Sequence, residues 1–113
     1  MSIQDEIAQT AKRFAAEQRV VRRIVTHAIE SGLSVSVNNG GDDDEIKNSV
    51  SVFDVLNETC VCDEETLTFR DADGKFVGSV CLVYGNADDG SEVVADYSTS
   101  LDAIPGFTSL LWE

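Results

Sequence analysis

Three cysteines (Cys60, Cys62, Cys81) and one histidine (His27) are the only soft or imidazole ligands in the 113-residue chain. A structural zinc site takes four such ligands at workable spacing, so all four would have to meet. Cys60 and Cys62 share one side of an extended segment, but His27 belongs to a helical pattern more than thirty residues earlier. Reduced thiols behaving as small apolar side chains fit better, and an odd count does not suit a disulfide framework. The stretch Asp71-Ala72-Asp73-Gly74-Lys75 has the look of a calcium loop. With Gly74 at the sixth loop position, the first ligand would fall on Phe69 and the closing one on Val80, and neither can coordinate. Its Asp-Gly pair is hairpin-turn chemistry instead.

For nucleophilic or acid/base catalysis the inventory is thin. His27 has no flanking nucleophile, no Gly-x-Ser-x-Gly turn occurs, and no glycine-rich loop ends in Lys-Ser or Lys-Thr. The reading is a non-enzymatic protein with no cofactor and no metal. What remains chemically distinctive is acid. "NNGGDDDEIKNS" at 38–49 puts Asp42, Asp43, Asp44 and Glu45 in one short connection, and Asp63, Glu64, Glu65, Asp88 and Asp89 add to it further on. Contiguous acids repel one another and stay wet, so a solvated loop is the ordinary role and partner recognition the sharper one.

Net charge is −13, unevenly distributed. Residues 1–30 carry Lys12, Arg13, Arg19, Arg22 and Arg23 against four acids and net +1, while the remainder nets −14. Direct nucleic-acid binding needs cations to neutralise phosphates, so the body is unsuited to it. A basic protein, host or viral, is the partner its chemistry favours. Arg19, Arg22 and Arg23 either keep one helix flank wet or contact the acidic body of a neighbouring subunit. The chain has no apolar run long enough to cross a bilayer and no signal-peptide pattern, from which a cytoplasmic protein is expected.

These residues need a scaffold, and the length fits a single domain, 1–113. Ile3, Ile7, Ala11, Phe14, Val21, Ile24, Val25 and Ala28 recur at helical steps, which predicts a helix over 3–31 stopped by Gly32. At 1.5 Å per residue it would run about 43 Å, longer than a small sheet can cover. Either it kinks or one end projects, and an apolar projecting end carrying Ile3, Ile7 and Phe14 wants a second copy of the chain. Leu33, Val35 and Val37 alternate with polar residues as a strand. Ser49 or Ser51 caps a short helix with Val52, Phe53, Val55 and Leu56 on its apolar side. Residues 66–84 form a hairpin whose second strand is apolar on both sides, so it should be central and covered on both faces. "EVVADYS" offers another strand. The closing segment, with Phe107, Leu110, Leu111 and Trp112, serves as a lid on the sheet's second face or as an exposed anchor. The whole is α+β: a long N-terminal helix (1–32) on an acidic body (33–113) holding a small, about four-stranded, mainly antiparallel sheet and one or two short helices.

The run from Ser51 to Ser98, especially "DADGKFVGSVCLVYGN" and "VVADYS", resembles a group of small acidic proteins of bacteriophages and other mobile elements. The resemblance spans roughly residues 30–103 and implies a mobile-element origin with no assigned activity. In that setting small acidic proteins often block host machinery, anti-CRISPR and anti-restriction proteins among them. The function expected is therefore an acidic binding protein, in its sharp form an inhibitor that mimics DNA. The alternative is a structural or assembly module acting through a helix-mediated homodimer and an apolar C-terminal tail that includes Trp112.

Overall fold

The computed structural model describes the backbone of residues 3–85 and 92–111, and within them the side chains from residue 11 onward. Helix α1, Ile3–Glu30, leads into a five-stranded antiparallel sheet of order β2-β1-β3-β4-β5. The strands are β1 Ser34–Asn38, β2 Ile46–Ser49, β3 Glu64–Arg70, β4 Phe76–Val83 and β5 Val94–Tyr97. Helix α2, Val52–Asn57, lies between β2 and β3; a 3-10 turn, Thr99–Ala103, and helix α3, Phe107–Leu110, follow β5. The α+β class and the single long helix agree with the sequence, with five strands where about four were expected.

Each boundary has a local cause. Gly32, at φ 90°, ends α1: its N–H reaches Ile29 O and the Leu33 N–H reaches Ala28 O, the paired bonds of a Schellman stop. Ser51 caps α2 by accepting a hydrogen bond from the Asp54 N–H at 3.3 Å. In the β3–β4 turn, Asp71 Oδ1 accepts from the backbone N–H groups of Asp73 and Lys75, so this carboxylate is spent on its own turn. The extra strand, β2, was illegible because it is four residues long, sits at the sheet edge, and contains Asn48 in a left-handed conformation (φ 50°).

The core lies on one face of the sheet. Val35, Val37, Leu67, Phe69, Val80 and Leu82 point towards Val20, Val21, Ile24, Val25 and Ala28 of α1, all buried. A large apolar side chain fully removed from water contributes about 1.5–3 kcal/mol, so this layer is the main source of stability. The closing segment completes the same layer. Phe107 sits edge-on to Phe69 at 5.5 Å between ring centroids and 5.8 Å from His27, and Leu101 lies over Gly78. A Cβ at position 78 would stand 2.8 Å from Leu101 Cγ, which is why only glycine fits there.

This corrects two expectations. The described part of the C-terminal segment, to Leu111, does not cover the second face of the sheet: Leu101, Phe107 and Leu111 are buried in the α1 layer, where α3 packs against α1. That second face instead carries Thr66, Thr68, Ser79, Cys81 and Val83, all half-exposed, so β4 is an interior strand, between β3 and β5, but covered on one side. Phe53 is also not part of the apolar side of α2: Val55 is buried and Val52 and Leu56 partly so, while Phe53 is 72% exposed.

The helix outruns the sheet as its length required. Its 28 residues span about 42 Å at 1.5 Å each, and the molecule's longest dimension is 52 Å. Among the described side chains of α1, from residue 11 onward, the first buried one is Ala16, while Ala11, Lys12, Phe14 and Ala15 are exposed. Phe14 is 45% exposed; the side chains of Ile3 and Ile7, and Trp112 altogether, lie outside the described residues.

Candidate protein-binding surface

Antiparallel pairing decides where the acids go. Asn38 at the end of β1 pairs with Thr66, and Glu64 at the start of β3 pairs with Val83 at the end of β4. Val83 N–H then bonds Val93 O, just before β5. The β1–β2 loop, the segment entering β3 and the β4–β5 connection therefore leave the same end of the sheet. Asp42, Asp43, Glu45, Asp63, Glu64 and Glu92 are exposed there, and Asp44 half-exposed. Asp88 and Asp89 lie outside the described residues. The opposite end carries Asp71 and Asp73 beside Arg70 and Lys75, a nearly balanced turn. Further acids are dispersed, with Asp54 and Glu58 on α2 and Asp96 and Asp102 near β5.

The β1–β2 loop has internal order. Asn38 Oδ1 accepts from Gly40 N–H at 2.7 Å, and Asn38 Nδ2 donates to Gly41 O and to Asp44 Oδ1, each at 3.2 Å. Gly40 holds φ 99°, which a side chain would strain. Asn38 and the two glycines build the turn, and Asp42, Asp43 and Glu45 face water.

Glu65 does not belong to that exposed set. It is 2% exposed, on the same side of β3 as Leu67 and Phe69. Its carboxylate accepts the backbone N–H groups of Cys60 at 2.8 Å, Val61 at 2.9 Å and Cys62 at 3.4 Å, and the Tyr84 hydroxyl at 2.6 Å. A buried carboxylate is tolerable only with such a set of donors. Its role is to pin the 60–62 loop, in which Cys60 takes a left-handed conformation at φ 61°. Glu17, 3% exposed, does similar work from α1 by accepting the Gly85 N–H at 2.7 Å. Both were legible in principle. Strand alternation puts position 65 on the face of Leu67 and Phe69, and helical steps put position 17 in line with Val21 and Ile24.

These buried carboxylates shape their neighbours. Burial pushes the Tyr84 phenol well above its ordinary range, and its hydrogen bond to Glu65 pushes further. Burial likewise raises the Cys60 thiol; hydrogen bonds from Tyr84 and Thr59 oppose this in part, and Glu65 and Glu17 add to it. Cys60 is therefore a protonated thiol with weak nucleophilic character. Cys81 is raised as well, by burial first and then by Glu64 and Asp96. The three cysteines are unpaired, and no group of three or more His, Cys, Asp or Glu side chains among the described residues is placed to hold a metal ion.

Three of the cations occupy another surface, while Arg13 lines a shallow cavity with Asp63 at the acidic end. Arg19, Arg22 and Arg23 are exposed on the side of α1 away from the sheet, along an open groove of about 580 Å³ that includes His27, Glu30 and Leu110. His27 is fixed by donating from Nε2 to Pro105 O at 2.8 Å.

Fold and charge layout together define a small α+β protein with one acidic end and one basic helix flank. No protein-family model matches the chain, and neither a curated protein nor a solved structure does. No described helix is long and apolar enough to cross a membrane.

Proposed function

We propose that the chain is an acidic protein-binding protein that acts by capture rather than catalysis. Its acidic end engages a basic surface on a host or viral protein, in the manner of an inhibitor from a phage or mobile element working in the cytoplasm. The supporting observation is the convergence of three acidic connections on one end of the sheet. Asp42, Asp43, Glu45, Asp63 and Glu64 are exposed within it on an ordered frame. Duplex DNA offers one charge per about 1.7 Å of axis, and a compact array of carboxylates competes for protein sites built to receive such charge. Electrostatic complementarity of this kind speeds encounter and selects partners.

The test is affinity capture from native lysate with and without excess duplex DNA. Capture of a basic protein that is lost on DNA competition, and lost again when Asp42, Asp43, Asp44 and Glu45 become amides, supports the reading. Capture indifferent to both changes would overturn it. A second reading, an assembly module working through a helix-mediated homodimer, is favoured by Phe14 and Val61, which are 45% and 63% exposed beside one shallow cavity where α1 leaves the sheet. It predicts that Phe14→Ser abolishes assembly while the amide changes leave it intact.

A further inference from the structure

We infer that the arginine groove on the back of α1 receives the β1–β2 acidic loop of a second copy of this chain. Arg19, Arg22 and Arg23 line that groove, and the same chain exposes Asp42, Asp43 and Glu45 on its β1–β2 loop, so a second copy offers locally complementary charge that must outweigh the long-range repulsion of two chains of net charge −13. Arginine suits the task because its planar fork matches a carboxylate. Leu110 and the arginine stems give apolar flooring, and Glu30 at one end limits how far an acidic segment extends along it.

Contact within one chain is disfavoured by the layout. The loop emerges beside β2, on the flank where α2 packs against β2 and β1. Leu110 places the groove on the other flank, where α3 packs against α1 and the 3-10 turn packs against β4. The loop presents Asp42, Asp43 and Glu45 outward on a frame tied by Asn38, so it arrives with little ordering cost. Exposed ion pairs are individually weak and screened beyond about 10 Å at 0.1 M salt, so the association is modest and salt-sensitive. This contact is independent of the capture reading, although an occupied loop would be hidden from other partners.

The test is sedimentation equilibrium of the purified full chain at low and at moderate salt. Association is expected at one or both salts, because raising salt screens the loop–groove pairs and the long-range repulsion between two chains of net charge −13 alike. Arg19→Glu with Arg22→Glu should abolish it, as should Asp42→Lys with Asp43→Lys. An equimolar mixture of the two double variants should associate again, which neither a folding defect nor a purely apolar dimer would produce. Circular dichroism checks that each variant is folded. A wild type strictly monomeric at both salts, or a mixture no more associated than its components, would overturn the inference. Either result leaves lysate capture by the acidic end untouched, because the arginine variant retains every residue of that end.

Discussion

Two sets of carboxylates sit at the same end of this sheet and have opposite physical lives. Glu65 and Glu17 are buried, each aimed at backbone N–H groups of neighbouring loops, whereas Asp42, Asp43 and Glu45 face water from a loop that Asn38 holds in shape. The first set uses its charge internally to hold the 60–62 loop and Gly85 in place. The second keeps its charge available. Acidity at this pole therefore has two roles, and counting acids in the sequence merges them. The buried pair positions the connections from which the exposed set projects.

Removing Glu65 should give the largest effect. Glu65→Leu orphans up to three backbone donors and the Tyr84 hydroxyl. At about 1–3 kcal/mol per unsatisfied buried group, with partial relaxation, the loss should be about 3–5 kcal/mol in urea unfolding. Glu65→Gln keeps one acceptor oxygen and should lose roughly half of that. A loss below about 1 kcal/mol for Glu65→Leu would erase the distinction between the two sets.

Tyr84→Phe should follow. It deletes one hydrogen bond to a buried carboxylate and should cost about 1.5–3 kcal/mol. Its pH signature is more telling. Below the ordinary phenol value of 10.0 both folded and unfolded chains hold the proton. Above it the unfolded chain releases the proton while the folded chain retains it, so stability falls as pH rises, by up to about 1.4 kcal/mol per pH unit. Tyr84→Phe should flatten that decline above pH 10, which melting curves measured between pH 8 and 11 would show.

Amide replacement of Asp42, Asp43, Asp44 and Glu45 should leave stability within about 0.5 kcal/mol, because only Asp44 makes a side-chain bond in the loop, to Asn38. Thermal melting checks this directly, and a marked rise would show that self-repulsion in the loop is being relieved. Smallest of all, Phe53→Ser should change stability by less than about 0.5 kcal/mol, since Phe53 is 72% exposed. A larger loss in urea unfolding would mean that α2 packs its exposed side against something.

Much of the scaffold was legible locally. The stop at Gly32, the Ser51 cap and the Asp71–Lys75 turn follow from bonds between residues a few positions apart, and the α1 stripe follows from helical period. The register of β3 is equally readable from Leu67 and Phe69, and carried to position 65 it would have marked Glu65 as inward. Strand β2 was not readable, because a four-residue edge strand with only its two end residues, Ile46 and Ser49, half-buried has no period to detect. The side taken by the C-terminal segment was also hidden. Leu101 and Phe107 had to be buried somewhere, and only the space left beside α1, over Gly78 for the one and Phe69 for the other, settles where.

By itself the sequence determined the long helix, the strand alternation, the turns and the sorting of cations to the first thirty residues, since each rests on propensity, period or local hydrogen bonding. Tertiary structure alone decided that loops far apart in the chain share one end of the sheet, and which acids among them are spent inside. Strand pairing sets the first: β2 and β3 both run antiparallel to β1, so the β2–β3 connection crosses the sheet and enters β3 at the end where the β1–β2 loop leaves, and β4, antiparallel to β3, finishes there too. Competition between desolvation and available donors sets the second, and those donors come from residues that only the folded chain brings to Glu65 and Glu17.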